Sequence, residues 1–438
     1  MSLLLQRQSA RWYPLKYHPV QAKLVTAVED GVRFPVVPAG RRSGKTERFK
    51  RFVCKQAMVY PNEKYFAAAP TYGQAKKIFW DDLKMLTLSC LHPSKPSESE
   101  LKIYLPNGSE IHVIGLDQPQ RIEGVNWTGG GVDEIADVKG SALNSNIMPA
   151  LNTIDPRRPF YRPWCWFTGV PDGLNHFYDM AEYAKTANDP DWGYYHWKSS
   201  EILPPDVIEA AKRTMSALEY AQEYEASFAT ASGRIYNDYA EGNFTTQTIM
   251  EHEALHWSHD QNFTPLSSCI AVVREGYPFF LDEIVLTSAV SRQSALEFVD
   301  RYANHKNKTV FVYGDPSGRN GEKHGHRSDY TDIEEVLRLH GWRYERRVKS
   351  AHPAIKDRQN AVRALILNAK GHRRLFVNPN SAKWCHKGLS TVQLQKGSTF
   401  QEDQKNEYQH ITTAIGYFVD YHWPSANSVV NTNQTTGT

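Results

Sequence analysis

The segment AGRRSGKTE, Ala39 to Glu47, joins an apolar run, FPVV, to a stretch that reads as helix. Gly-Lys-Thr at a strand-to-helix turn has a defined chemistry. Backbone amides around Gly40, Ser43 and Gly44 can cradle phosphates, and Lys45 can neutralise β- and γ-phosphate oxygens. The Thr46 hydroxyl is placed for Mg²⁺. The pattern GxxxxGK[ST] has glycine where this chain has Ala39, with Gly40 one place later; alanine there can turn if its φ is negative. Further on, GGGVDEIAD ends an apolar approach in Asp133-Glu134. The first carboxylate can hold Mg²⁺ through water and the second can polarise an attacking water. These residues predict ATP hydrolysis, with ATP and Mg²⁺ as cofactors. A basic turn that binds nothing, followed by a helix-capping Asp-Glu, is the bland alternative.

A second acidic set lies downstream. Asp260 closes LHWSHD, and Asp315 follows the apolar VFVYG and precedes Pro-Ser-Gly. Carboxylates from different strand ends can clamp two divalent ions, about 3.5–4 Å apart, for phosphodiester hydrolysis. Mg²⁺ or Mn²⁺ would serve. An Asx-turn or strand-end cap is the alternative for each. Glu283, in FLDEIVL, reads as a solvent-facing strand residue rather than an accessory ligand. His324 and His326 read as members of a polar loop. Arg346, Arg347, Lys349, Lys356 and Arg358, with KGHRR close behind, form a basic run. It could contact phosphates or simply be solvated.

The elements around these residues fall into two sets. Short apolar runs alternate with helical stretches from Val36 to about Pro171, as in a parallel sheet with crossover helices. LKIYLPNGSEIHVIG reads as a hairpin turning at Asn107-Gly108. DVIEAAKRTMSALEYAQEYEASF reads as one amphipathic helix after Pro204-Pro205. Beyond it, three strands, a helix and a fourth strand follow in the order of an RNase H-like sheet, and YQHITTAIGYFVDYHW closes the fold as a helix. The expected class is therefore α/β, with a P-loop ATPase domain on a parallel sheet and an RNase H-like domain on a mixed sheet. The expected boundaries are 1–200 for the ATPase, 201–243 for a helical lid and linker, 244–424 for the nuclease, and 425–438 for a polar, disordered tail.

Composition narrows the class. The 438 residues are 40% hydrophobic and 12% aromatic, enough for two cores. The net charge of +3 means that any nucleic-acid face must come from local clustering. Five scattered cysteines, with no CxxC pair, argue against a disulfide or zinc framework and for a reducing compartment. No apolar run spans a bilayer or forms a signal peptide, so a cytosolic protein without a membrane partner is expected.

The order of motifs resembles the large terminase subunit of tailed bacteriophages. His18-Pro19-Val20-Gln21 is similar to the element whose glutamine reads adenine, which nominates Gln21. Arg41 and Arg42 resemble the family's loop arginines, one of which assists γ-phosphate cleavage. RIEGVNWTGGGVDE resembles its arginine-glycine element, and WFTGVPDGLNHFYD its coupling motif, with Thr168 and Gly169 sensing hydrolysis. Asp260 and Asp315 match two nuclease ligands. In HITTAIGYF, similar to the family's His-x-x-Asp-Ala, Thr413 stands where the third aspartate belongs. His410 becomes a candidate metal ligand, Asp420 lies about 10 Å too far along the helix, and Glu402 or Asp403 could swing in.

The resemblance implies an ATP-driven motor that moves viral double-stranded DNA into a procapsid and cuts concatemeric DNA. It further implies a homo-oligomeric ring on the capsid portal protein, a separate small terminase subunit for DNA choice, and residence in the host cytoplasm. Arg121, Arg157 and Arg158 are candidates for an arginine given to a neighbour. A helicase or repair translocase shares the first motifs but needs a second RecA-like domain. A scaffold that has lost its chemistry conflicts with the intact Gly-Lys-Thr, and a packaging ATPase with an impaired nuclease agrees with Thr413.

Overall fold

The computed structural model describes residues 12–88, 95–152, 161–229, 233–260, 265–319, 328–395, 398 and 400–425. Cys90, Arg157, Arg158, His324, His326 and the tail from 426 lie outside the described residues. The chain divides into two compact units, Met1–Ile208 with Ala221–Ala229 and Glu209–Tyr220 with Thr230–Thr438. Among the described residues no helix is long and apolar enough to cross a membrane.

The first unit opens with helix α1 (Pro19–Glu29), started by its proline, and burying Gln21, Leu24 and Val28 along one face. Strand β1 (Phe34–Pro38) leads into α2 (Lys45–Val59) and β2 (Lys64–Ala69). A helical stretch from Tyr72 to Thr87 follows, its middle turn at Lys76–Trp80 widened to π geometry. Then come β3 (Lys102–Tyr104), β4 (Glu110–Gly115), β5 (Gly129–Val132), β6 (Trp164–Gly169), α3 (His176–Thr186) and β7 (Trp192–Tyr194). The seven strands lie in the order β3-β4-β2-β5-β6-β1-β7. All pairs are parallel except β3 with β4, the expected hairpin, whose Gly108 has φ +83°. This order brings the C-terminal ends of β1, β6 and β5 side by side, with Pro38 opposite Gly169 and Val132 opposite Phe167.

Strand β5 is the least expected part of the sheet, because three successive glycines form a central strand with little intrinsic preference for one. Its neighbours explain it. A methyl group on Gly129 would overlap the Trp164 ring, one on Gly130 the Phe66 ring, and one on Gly131 would come within 2.6 Å of Phe49. Large aromatics from β6, β2 and α2 thus fill the space that side chains on β5 would occupy.

The second unit holds β8 (Leu255–Asp260), β9 (Leu266–Arg274), β10 (Tyr277–Leu286), α4 (Ser291–Arg301), β11 (Thr309–Gly314), α5 (Asp329–Leu339) and β12 (Arg343–Arg346). They continue in α6 (Ile355–Ile366), β13 (Phe376–Val377), α7 (Lys383–Thr391) and α8 (Gln409–His422). The sheet order β12-β11-β8-β9-β10-β13, with β8, β9 and β10 antiparallel and β11 and β12 parallel to β8, is the RNase H-like arrangement. Strand β13, parallel to β10, adds an edge the sequence reading did not include.

The single helix expected from Asp206 onward is broken into Pro205–Thr214 and Ala217–Glu223. Ser216 forms a β-bridge with Asn368, and its hydroxyl accepts the Glu219 N–H at 3.1 Å, starting a new helix.

Helix α8 lies along one face of β8. The Ser258 hydroxyl donates to the Ala414 carbonyl at 2.6 Å, and the His256 ring packs against Phe418 and His422. His256 Nδ1 and His422 Nε2 each stand 2.8 Å from Tyr313 Oη, to which Arg347 also donates at 3.4 Å. On the other face Trp257 stacks on Phe298 of α4, ring centroids 4.4 Å apart.

Replacement of Gly130 by Ala forces a methyl group into the Phe66 ring and costs roughly 1–3 kcal/mol. Thermal melting of the full chain checks this as a midpoint lowered by roughly 2–12 °C. A second expectation follows from His256. Burial, helped by the charges of His422 and Arg347, pushes its pKa down to about 3, and burial with Arg347 pushes His422 to about 4. The unfolded chain takes these protons near pH ~6.5. The stabilisation is complete above that pH and is lost as pH falls toward 4, by about 2 kcal/mol at pH 5 for His256. Urea unfolding at pH 7 and pH 5 measures it, and His256→Gln should lose less stability between the two than the parent does.

Candidate functional site

In the first unit the loop between β1 and α2 ends in the Gly-Lys-Thr segment, whose lysine opens the helix. Its strained positions are Arg42, with φ +58°, and Gly44, with φ +85°; Ala39 is not in the left-handed region and continues β1 in a bridge with Trp197. Glycine at position 40 has a packing reason. A side chain there would strike Ser199 and the Tyr224 carbonyl, which lie against the loop. Trp197 Nε1 donates to the Ser43 hydroxyl at 2.9 Å, and Gln21 Nε2 donates to the Ser43 carbonyl at 2.9 Å. Gln21 Oε1 in turn accepts from Arg48 Nε and Nη2 at 3.2 and 3.0 Å, so both ends of its amide are engaged.

Asp133 is the centre of this site. It is 2% exposed and leaves the end of β5 between two threonines. Thr46 Oγ1 donates to its Oδ2 and Thr168 Oγ1 to its Oδ1, both at 2.6 Å. Burial and the adjacent Glu134 raise its pKa, against the lowering pull of Lys45 and the two hydroxyls. A buried carboxylate kept near a lysine and two hydroxyls suits a hard cation, whose charge would relieve that burden. Lys45 Nζ stands 3.4 Å from Glu134 Oε1. Burial lowers the Lys45 pKa, but Glu134, Asp133 and Glu223 outweigh it, and the net shift is upward. Glu134 itself has φ +50°, a left-handed conformation that aims its carboxylate back across the strand ends, where the Val170 N–H donates to Oε2 at 3.3 Å.

The two loop arginines differ. Arg41 is held by Glu223, Nε to Oε2 at 2.6 Å, with its own N–H donating to the Glu223 carbonyl and its carbonyl accepting from Ser199. Arg42 is exposed. Arg121 lies over the Tyr72 ring, 5.7 Å from its centroid. Trp197, Ser199, Glu223, Arg48 and Val170 were not singled out by sequence reading, because each acts through contacts distant in the chain.

In the second unit, pairing of His259 with Gly314 places Asp260, the last residue of β8, beside Asp315, the residue that follows β11, at the ends of neighbouring parallel strands. Asp260 Oδ2 lies 2.8 Å from His410 Nδ1, and Asp315 Oδ2 accepts from the Tyr417 hydroxyl at 3.1 Å. Asp315 Oδ1 accepts the Ser317 N–H and stands 3.5 Å from His352 Nδ1. Thr413 lies between His410 and Tyr417 on the same face of α8, and Arg358 Nη2 donates to its hydroxyl at 3.4 Å.

The remaining acids have partners of their own. Asp420 is buried and paired with Lys349 at 2.5 Å. Glu402 is buried, bridges Leu394 and accepts from Gln359 Nε2 at 3.0 Å; burial and the charge of Asp260 raise its pKa, against the lowering pull of Arg358, Gln359 and His410, so it faces the same corner as Asp260. Asp403 Oδ1 accepts the Lys405 N–H. Glu283 is not solvent-facing: its oxygens accept the Trp384 and Cys385 N–H groups at 2.8 and 3.0 Å, capping α7, and burial raises its pKa. Among the described residues no three or more His, Cys, Asp or Glu side chains gather to hold a metal ion. The set Asp260, Asp315 and His410 is therefore not assembled as a three-ligand cluster, and two-ion coordination does not fit the residues present.

Comparison with known proteins gives the family context. Residues 37–241 match the model described as terminase large subunit, T4likevirus-type, N-terminal. The large terminase subunit of Escherichia phage T5 is 27% identical over 229 residues, covering 50% of this chain and 49% of that protein; the match thus spans about half the length of that relative. The large terminase of a thermophilic bacteriophage has a like fold, with TM-score 0.62 at 17% identity over 92% of this chain and 98% of that one. The same thermophilic phage protein in complex with ATP-γ-S matches with TM-score 0.60 at 18% identity over 92% and 99% of the chains. Residues 37–241 are therefore similar to the N-terminal domain of large terminase subunits, within a two-unit fold like that of a phage large terminase.

Proposed function

We propose that this chain is a large terminase subunit, an ATP-driven motor that moves viral double-stranded DNA into a procapsid and cuts concatemeric DNA in a metal-dependent reaction. The observation that carries the reading is the buried Asp133, gripped by Thr46 of the phosphate loop and by Thr168 of β6. ATP as the ligand is supported by the nucleotide complex of the like-folded thermophilic phage terminase.

Lys45 leaves Glu134 for the β- and γ-phosphates, and amides of Gly40, Ser43 and Gly44 line the phosphate path. Thr46 and Asp133 would hold Mg²⁺, which supplies charge neutralisation for the phosphates. Glu134, freed from Lys45, polarises the attacking water. Arg42, unlike the Glu223-bound Arg41, is open to meet the γ-phosphate, while Arg41 responds when its ion pair is disturbed. Gln21 reads adenine by exchanging Arg48 for the base. Thr168, one hydroxyl from Asp133, carries a change at the nucleotide into β6.

Residues 1–200 serve as the ATPase, 201–243 as lid and linker, and 244–424 as the nuclease, where Asp260 and Asp315 act on the phosphodiester. The working state is a homo-oligomeric ring on the capsid portal in the host cytoplasm, with a small terminase subunit choosing viral DNA. A packaging ATPase with an impaired nuclease is a second reading, favoured by Arg358 at the Thr413 hydroxyl.

Two variants and one reconstitution test the motor. Lys45→Ala should lose nucleotide binding, and Glu134→Gln should keep it while turnover falls by roughly 10²–10⁴-fold. With portal-bearing procapsids and the small subunit, the parent and ATP should render linear duplex DNA resistant to DNase. A parent that hydrolyses ATP and protects no DNA under these conditions would sink the packaging reading.

A further inference from the structure

The end of the first sheet away from Asp133 holds a cavity of about 650 Å³. Tyr65, Thr128 and Trp164 line it from around the starts of β2, β5 and β6, and Phe52 and Gln56 line it from α2. Glu29, at the end of α1, and Tyr60, just past the end of α2, stand at its rim. The volume suits a molecule of nucleoside size.

Two polar groups meet this cavity without a partner. Phe49, Phe52, Val53, Gln56 and Ala57 recur at helical spacing on a buried face of α2, and Gln56 is the one polar member. It is 9% exposed, and its amide makes no hydrogen bond with any described residue. Trp164 is 6% exposed, and its indole N–H likewise has no acceptor among the described residues. A buried polar group left unpaired is unfavourable, so two that line one cavity point to an occupant with hydrogen-bonding atoms.

The rest of the lining restricts the chemistry of that occupant. Phe52 and Tyr65 pack on the Trp164 ring, with centroids 5.1 and 6.1 Å away, so the wall beside the two polar groups is aromatic. The Tyr60 ring is 51% exposed and stacks on no other ring among the described residues. Aromatic walls with an open ring at the rim favour a planar molecule over water. Charge argues against a phosphate. Glu29, Asp30 and Asp191 outnumber Arg33 and Arg162 in the lining, and Arg33 is already held by Asp191 at 2.9 Å and by the Pro163 and Leu151 carbonyls.

We propose that this cavity is a nucleobase site, distinct from the phosphate loop. An uncharged planar heterocycle stacks on Tyr60 and turns its polar edge to Gln56 and Trp164. The Gln56 amide presents a donor beside an acceptor, which complements the donors and acceptors along a base edge, and the Trp164 N–H supplies one more donor. The occupant is a free nucleoside or an unpaired base of a DNA strand, both of which carry that edge.

Calorimetric titration of the full chain with adenosine, guanosine, cytidine and thymidine tests this, after the phosphate loop has been loaded with Mg²⁺ and ATP-γ-S. At least one nucleoside should bind, at one site per chain. Gln56→Leu suits the apolar face of α2 and Tyr60→Ala lies at the surface, so both should fold as the parent does. Each should weaken binding by roughly 10-fold or more. Competition by a short single-stranded oligonucleotide of mixed sequence would identify a strand's unpaired base as the occupant, and no competition a free nucleoside. Absence of binding by all four nucleosides, or parental affinity in Gln56→Leu, would overturn the proposal and leave the motor reading untouched.

Discussion

A carboxylate buried at the end of a parallel sheet needs hydrogen-bond donors in place of water, and Asp133 obtains them from two directions at once. Thr46 reaches it from the first turn of α2, and Thr168 from the neighbouring strand. Those bonds tie two strand ends and the start of α2 to one another through a single side chain. The strand order β5-β6-β1 is what makes this geometry available, because it sets the phosphate loop beside β6 and β6 beside β5. Glu134 follows the same logic. Its left-handed backbone turns the carboxylate back toward Lys45 and the Val170 N–H, so both acids answer to groups on neighbouring elements.

The second unit positions its acids by a different device, the meshing of a strand with an antiparallel helix. Residues 256, 258 and 260 of β8 face α8, and they meet Phe418, Ala414 and His410 in turn. Two residues of strand advance about 6.6 Å and four residues of helix about 6 Å, so the contacts stay in step. Tyr417, one turn beyond Thr413, reaches the neighbouring strand end at Asp315. A slip of one residue in β8 would turn Asp260 away from the helix altogether.

Much of this was legible because it is local. Gly-Lys-Thr after an apolar run, Asp-Glu after another, and strand-like runs ending in Asp260 and Asp315 all announce themselves within ten residues or so, and both sheets follow from element order. What escaped was decided by partners far along the chain. Glu283 alternates like a solvent-facing residue, yet the start of α7, a hundred residues on, needs its oxygens. Ser216 sits in an unbroken helical pattern, yet Asn368 draws it into a bridge. Gln21 shows no sign in its own segment of the Ser43 carbonyl and Arg48 guanidinium that engage it. Arg358 reads as one member of a basic run, and only Gly416 on another helix makes room for it.

The triglycine strand has a consequence for how this chain can change with time. A residue on β5 and the ring above it share one volume, so neither can be altered alone without a clash or a void. Enlarging Gly130 demands a smaller residue at 66, and shrinking Trp164 invites a larger one at 129. Descendants of this chain must therefore cross such positions in pairs, and the strand that delivers Asp133 evolves at the pace of its neighbours rather than its own.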